Sequence, residues 1–193
     1  MSKENIEPYS STVFVGIDFG LTPAATFGQR LVTGQWLILQ ELVCFDMGVT
    51  RFAELLKHEI AKNYKGLDLE IYGDPAGDVS LRIEAVEAAL TRMVEGKAGF
   101  LLNYNCVNLK KGFNGGYHYR RLQTSGDRYD EKPMKNKYSH IHDALQYMML
   151  GAGEGKSLTA GRSKAATVVK TRQWNVFDNK KRRKSVWQNK LGI

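Results

Sequence analysis

Val13-Phe14-Val15-Gly16-Ile17-Asp18-Phe19-Gly20 is a short apolar run, rich in β-branched and aromatic residues, that ends on a lone carboxylate and a glycine. Such a run reads as a buried strand delivering one acid to the edge of a sheet. A buried strand carries a charge only where that charge is paired or holds a metal. Asp18 therefore needs partners from elsewhere in the chain.

The segments that follow define an α/β architecture. Leu21-Thr22-Pro23 turns the chain, and residues 24–32 and 35–44 form a predicted hairpin joined through Val32-Thr33-Gly34-Gln35. Thr50 is the expected N-cap of a helix whose apolar stripe is Phe52, Leu55, Leu56, Ile60 and Tyr64. Gly66 ends that helix, and Leu69-Glu70-Ile71-Tyr72 alternates as a strand. A helix between two strands makes a crossover, so this strand is predicted to run parallel to an earlier one. It ends at Gly73-Asp74-Pro75, a second carboxylate at the edge where open α/β sheets gather their ligands. A second helix is expected over residues 80–95, and Phe100-Leu101-Leu102 is a brief strand candidate. Ser139 should cap a last helix over 140–150, built on Ile141, Ala144, Leu145, Met148 and Met149, with Asp143 in its early turns.

A chain of 193 residues has room for one well-cored domain with appended tails. The expected boundaries are a disordered leader at 1–11, a domain at 12–151 and a basic flexible tail at 152–193. The formal net charge of +8 is concentrated in that tail, where eleven Lys and Arg meet only Glu154 and Asp178. The remainder holds 17 basic and 18 acidic residues and is nearly neutral. The tail, with Lys180-Lys181-Arg182-Arg183-Lys184 and then Trp187, points to a polyanion or an acidic protein surface as partner. No run of about 18 apolar residues and no secretory signal is present, so neither a membrane span nor export is expected. Cys44 and Cys106 lack metal-ligand spacing and read as reduced core thiols.

Asp18, Asp74 and Asp143 each stand where an acid needs a reason. Three carboxylates brought to one sheet edge repel one another unless a cation compensates. Hard divalent ions such as Mg²⁺ or Mn²⁺ prefer oxygen ligands, and two of them can clamp a phosphodiester. Read singly, Asp74 before Pro75 also suits a turn, and Asp143 suits a helix N-terminus. His140 and His142 lie two apart and so point in different directions on a helix. His142, beside Asp143, suits a helix cap or the surface better than polarising water at a metal. The stretch Leu150 to Ser157 lacks the first glycine, the strand and the helix of a phosphate loop, and reads as a linker. Residues 106–137 interleave Phe113, Tyr117, Tyr119 and Tyr129 with Lys110, Lys111, Arg120 and Arg121. That composition suits contacts with nucleic-acid phosphates and bases as well as it suits a solvated hairpin.

Four stretches in order carry a resemblance: Gly16 to Ala25 (GIDFGLTPAA), Gly73 to Asp78 (GDPAGD), Lys111 to Tyr119 (KGFNGGYHY) and Tyr138 to Tyr147 (YSHIHDALQY). Over about residues 12–151 the chain resembles the C-terminal nuclease domain of the large terminase subunit of tailed bacteriophages. The resemblance implies a ribonuclease H-like fold and a metal-dependent endonuclease that cuts concatemeric viral DNA at packaging, in the cytoplasm of the infected bacterium. It implies two Mg²⁺ or Mn²⁺ ions held by Asp18, Asp74 and Asp143, with Asp46 and Asp78 near further acidic positions. Implied partners are double-stranded DNA, the terminase ATPase domain, the small subunit and, through the tail, the capsid portal.

Two departures shape the expectation. No ATPase motor precedes Val13, so the chain reads as a nuclease half, excised or naturally separate, and Asp78 runs almost directly into Val79-Ser80-Leu81-Arg82, so a strand or loop of the usual sheet is either missing or not represented there. Two other readings compete. Gly16 to Gly20 resembles the first phosphate loop of sugar kinases and actin-like ATPases, but that fold needs a second domain and a later glycine-rich adenosine loop. The chain could otherwise be a non-catalytic DNA- or portal-docking module acting through its basic tail, binding DNA by counterion release.

Overall fold

The computed structural model describes residues 5–75, 78–122 and 128–154. The tail's basic run, Trp187 and residues 1–4 of the leader lie outside the described residues. The central sheet has five strands: β1 (Thr12–Asp18), β2 (Ala24–Arg30), β3 (Trp36–Val43), β4 (Asp68–Tyr72) and β7 (Phe100–Leu102), in the order β4-β1-β2-β3-β7. β2 runs antiparallel to both β1 and β3, whereas β4 pairs parallel with β1 and β7 parallel with β3. The expected mixed sheet flanked by helices is therefore present. Two small hairpins lie outside it: β5 (Met93–Val94) with β6 (Lys97–Ala98), and β8 (Tyr119–Arg121) with β9 (Tyr129–Pro133).

Alternation along each strand sorts the side chains into two cores. Val13, Val15 and Ile17 of β1, with Ala25, Phe27, Leu37 and Leu39, pack under helix α1 (Val49–Asn63) through Phe52 and Leu56. The opposite face carries Trp36 and Ile38 against α2 (Val79–Thr91), α3 (Val107–Lys111) and α4 (Ser139–Gly151). Asp18 shares its parity with Gly16, and so lies on the α4 face. Gly16 is what lets α4 reach that face, because a Cβ there would stand 1.9 Å from the Ala144 carbonyl oxygen and 2.8 Å from Met148 Cβ. β1 and the last helix thus approach closely at Ala144, the residue next to Asp143.

Several boundaries differ from expectation. α1 begins one residue before Thr50, with Gly48 in the capping position and no side-chain cap. Ser139 is the first residue of α4 rather than its cap; its hydroxyl donates to the Asn136 carbonyl at 2.7 Å. α2 starts directly after Asp78 and ends at Thr91, because Met93 and Val94 turn back through Glu95 (φ 51) and Gly96 (φ 76) into β6.

The leader, expected to be disordered, is tied down over its described part. Gln29 accepts from the Tyr9 and Ser10 amides and donates to the Ser10 and Thr12 carbonyls, and Asn103 donates to Asn5 and to the Ile6 carbonyl.

The far boundary also moves. Glu154 is buried, accepting from Trp36 Nε1 at 2.8 Å and pairing with Arg92, with Arg30 Nε at 3.5 Å. It therefore belongs to the domain, three residues past the expected limit. Cys44 and Cys106 are buried free thiols, as expected.

Candidate metal centre

β1 and β4 deliver the first two acids. Their parallel register pairs Thr12 with Asp68 and Gly16 with Tyr72. β4 ends at Tyr72, so Asp74 follows two residues past that strand, at the same C-terminal edge at which Asp18 ends the neighbouring β1. Asp18 is partly covered, with 17% of its side chain exposed, whereas Asp74 is exposed.

α4 supplies the third acid. Its start lies against the end of β1, and its Asp143 carboxylate is buried. Burial pushes the phenol of Tyr147, one turn on, up to about 12; the Arg82 guanidinium, 4.7 Å from the ring centre, opposes this, and the charges of Asp143 and Asp18 add smaller upward pushes. The fold thus brings all three acids to one end of the sheet.

Each of the two covered acids already has a partner. His140 Nδ1 stands 2.7 Å from Asp18 Oδ2, and the Lys135 ammonium donates to Asp143 Oδ2. Gly20 makes room for the first pair, since a Cβ there would lie 2.7 Å from His140 Nδ1 and 3.5 Å from Asp18 Oδ2. Among the described residues, no three His, Cys, Asp or Glu side chains converge on a common metal position. The donor set nevertheless suits a hard divalent ion in kind: carboxylate oxygens, one of them buried and already drawing a cation. Reorientation of exposed Asp74 and release of Lys135 are the changes such an ion would require.

His140 escaped the sequence reading, although its position was a usable signal. It stands three residues before Asp143, hence on the same helical face. Lys135 left no signal of that kind.

The other candidates separate. Asp78 caps α2, its carboxylate accepting from the Ser80 amide at 3.0 Å, and Asp46 occupies an exposed left-handed turn (φ 49). His142 is neither a cap nor a surface residue. It is buried between Tyr117, stacked at 4.7 Å, and Phe113, edge-on at 4.7 Å, and burial pulls its pKa down to about 4.

Tyr117, expected to meet nucleic acid, instead spends one ring face on His142, and its hydroxyl accepts from Gln146 Nε2 at 2.9 Å. It holds the kinked turn Gly112–Gly116, which Gly115 bends at φ 101, against α4. Lys110 and Lys111 are exposed on α3. Arg120 and Arg121 are exposed on β8, with Arg120 paired to Asp130 at 3.0 Å. An open cleft of about 520 Å³ runs along this hairpin between Arg120, Lys132 and Lys135. Through Lys135 it adjoins Asp143.

No known family model and no curated protein matches the chain. Among solved structures, it is similar in fold to the large terminase from a thermophilic bacteriophage. In the complex of that protein with ATP-gamma-S the TM-score is 0.57 at 20% identity, over 75% of this chain and 41% of the terminase chain. The ADP complex gives 0.57 and 20%, over 75% and 40%, and a third structure of the same protein gives 0.56 and 19%, over 76% and 41%. The chain therefore spans about two fifths of the length of those terminase chains.

Proposed function

We propose that this chain is a metal-dependent endonuclease that cuts double-stranded viral DNA during genome packaging, with a ribonuclease H-like fold. The observation that carries the reading is that Asp18 ends β1 and Asp74 follows the end of β4, its parallel neighbour, while Asp143 stands on the helix packed against β1. Two Mg²⁺ or Mn²⁺ ions held by these three acids would supply the Lewis acid and the activated water for phosphodiester hydrolysis. Within the protein, Asp18 anchors the site from a rigid strand and His140 fixes the orientation of its carboxylate. Asp143 adds a charge already desolvated by the helix. The exposed cations Lys110, Lys111, Arg120 and Arg121 would hold duplex phosphates without reading sequence. The fold likeness to a large terminase supports a place in packaging, beside an ATPase motor and a small subunit in the infected bacterial cytoplasm.

Incubation of supercoiled plasmid with the full chain tests this. Nicked and linear product should form in Mg²⁺ or Mn²⁺ and stop with a chelator. Metal-independent or absent cutting, with DNA binding retained, would favour the non-catalytic docking module. The charge asymmetry of the tail supports that second reading, with DNA or the capsid portal as partner. Removing residues 155–193, which leaves Glu154 in place, tells them apart: a nuclease domain keeps cutting, whereas a docking module loses its DNA or portal binding.

A further inference from the structure

We infer that Lys135 is the resident cation of Asp143 and that a divalent ion entering the site takes its place there. This rests on the metal-nuclease reading above. The Asp143 side chain is only 3% exposed, whereas that of Lys135 is 71% exposed, so the ammonium reaches inward from the surface to a desolvated carboxylate. A buried carboxylate left without a cation is strongly disfavoured, so the charge must be exchanged rather than simply removed.

The backbone on both sides of Lys135 is fixed. The Met134 amide donates to the His118 carbonyl at 2.8 Å, and Asn136 donates through Nδ2 to the Gly116 carbonyl at 2.7 Å and through its amide to Ser139 Oγ at 3.2 Å. Exchange therefore needs only rotation of a four-carbon stem with its root held still. An ammonium and a divalent ion on the same carboxylate repel each other, so the two compete. Lys135 thereby keeps the metal-free domain stable and sets how tightly metal binds.

Calorimetric titration of the full chain with Mn²⁺ tests the exchange. Lys135→Met and Lys135→Gln should bind Mn²⁺ about tenfold more tightly than the unmodified chain, because the competing charge is gone. Lys135→Arg should stay near the unmodified value. Without metal, Lys135→Met should melt at a lower temperature and regain the difference in saturating Mn²⁺. Equal or weaker affinity in both Lys135→Met and Lys135→Gln, while Asp143→Asn abolishes binding, would overturn the exchange and leave the metal site standing. Failure of the unmodified, folded chain to bind Mn²⁺ would overturn both.

Discussion

His140 Nδ1 lies 2.7 Å from Asp18 Oδ2, although 122 positions separate the two residues. The contact exists because α4 crosses β1 at Gly16, so the first turn of the helix meets the last residue of the strand. One helix therefore carries both the orienting ring for Asp18 and the acid Asp143. His140→Ala should leave the fold intact, since the ring is 25% exposed. It should lower metal affinity or DNA cutting by about 10- to 100-fold, the usual cost of losing a group that orients a metal ligand. Mn²⁺ titration together with nicking rates checks this.

Gly16→Ala should be far more damaging than its one added methyl group implies. The new Cβ would meet a backbone oxygen, Ala144 O at 1.9 Å, which cannot rotate away. Overpacking of a core costs about 1–3 kcal/mol, and a rigid backbone obstacle places this substitution at the upper end or beyond. Urea denaturation measures it, and Gly48→Ala, where nothing lies within 4 Å, serves as the control.

Glu154→Ala should destabilise the domain by about 1–3 kcal/mol, because it leaves the buried Trp36 ring N–H without its acceptor, whereas Arg30 and Arg92 both reach solvent. Glu154→Gln retains an acceptor for Trp36 and should cost less. Ending the chain after Glu154 should leave its melting temperature close to that of the full chain.

His142 predicts an acid-side loss of stability. Its folded pKa of about 4 lies below the ordinary 6.5, because burial disfavours the charged ring. The unfolded chain therefore binds the proton first. The stabilisation is fully present above pH 6.5 and is lost as pH falls towards 4, an effect of ~3 kcal/mol. His142→Phe keeps a ring in the stack and should flatten that part of the pH dependence in denaturation curves recorded with chelator.

The elements that follow a simple period were legible in the chain: β1, the β2–β3 hairpin, parallel β4 and the helix carrying Asp143. The places of Asp18 and Asp74 in the fold were legible for the same reason, since one ends and the other closely follows a strand. What escaped was fixed by single long-range contacts that leave no period. Gln29 and Asn103 pin the leader through backbone hydrogen bonds, and Glu154 extends the domain through Trp36. Glu95 makes a left-handed turn without being a glycine. Tyr117 carried the composition of a nucleic-acid contact, but its stacking on His142 depends on where α4 lies.

The most direct measurement is plasmid nicking by folded Asp18→Asn in Mg²⁺ and Mn²⁺, beside the unmodified chain. The exchange removes a charge but keeps the shape of the residue that His140 holds. Metal-dependent nicking by the unmodified chain and none above background by Asp18→Asn is the predicted result. Nicking by Asp18→Asn at the unmodified rate would contradict the assignment of this edge as the metal centre.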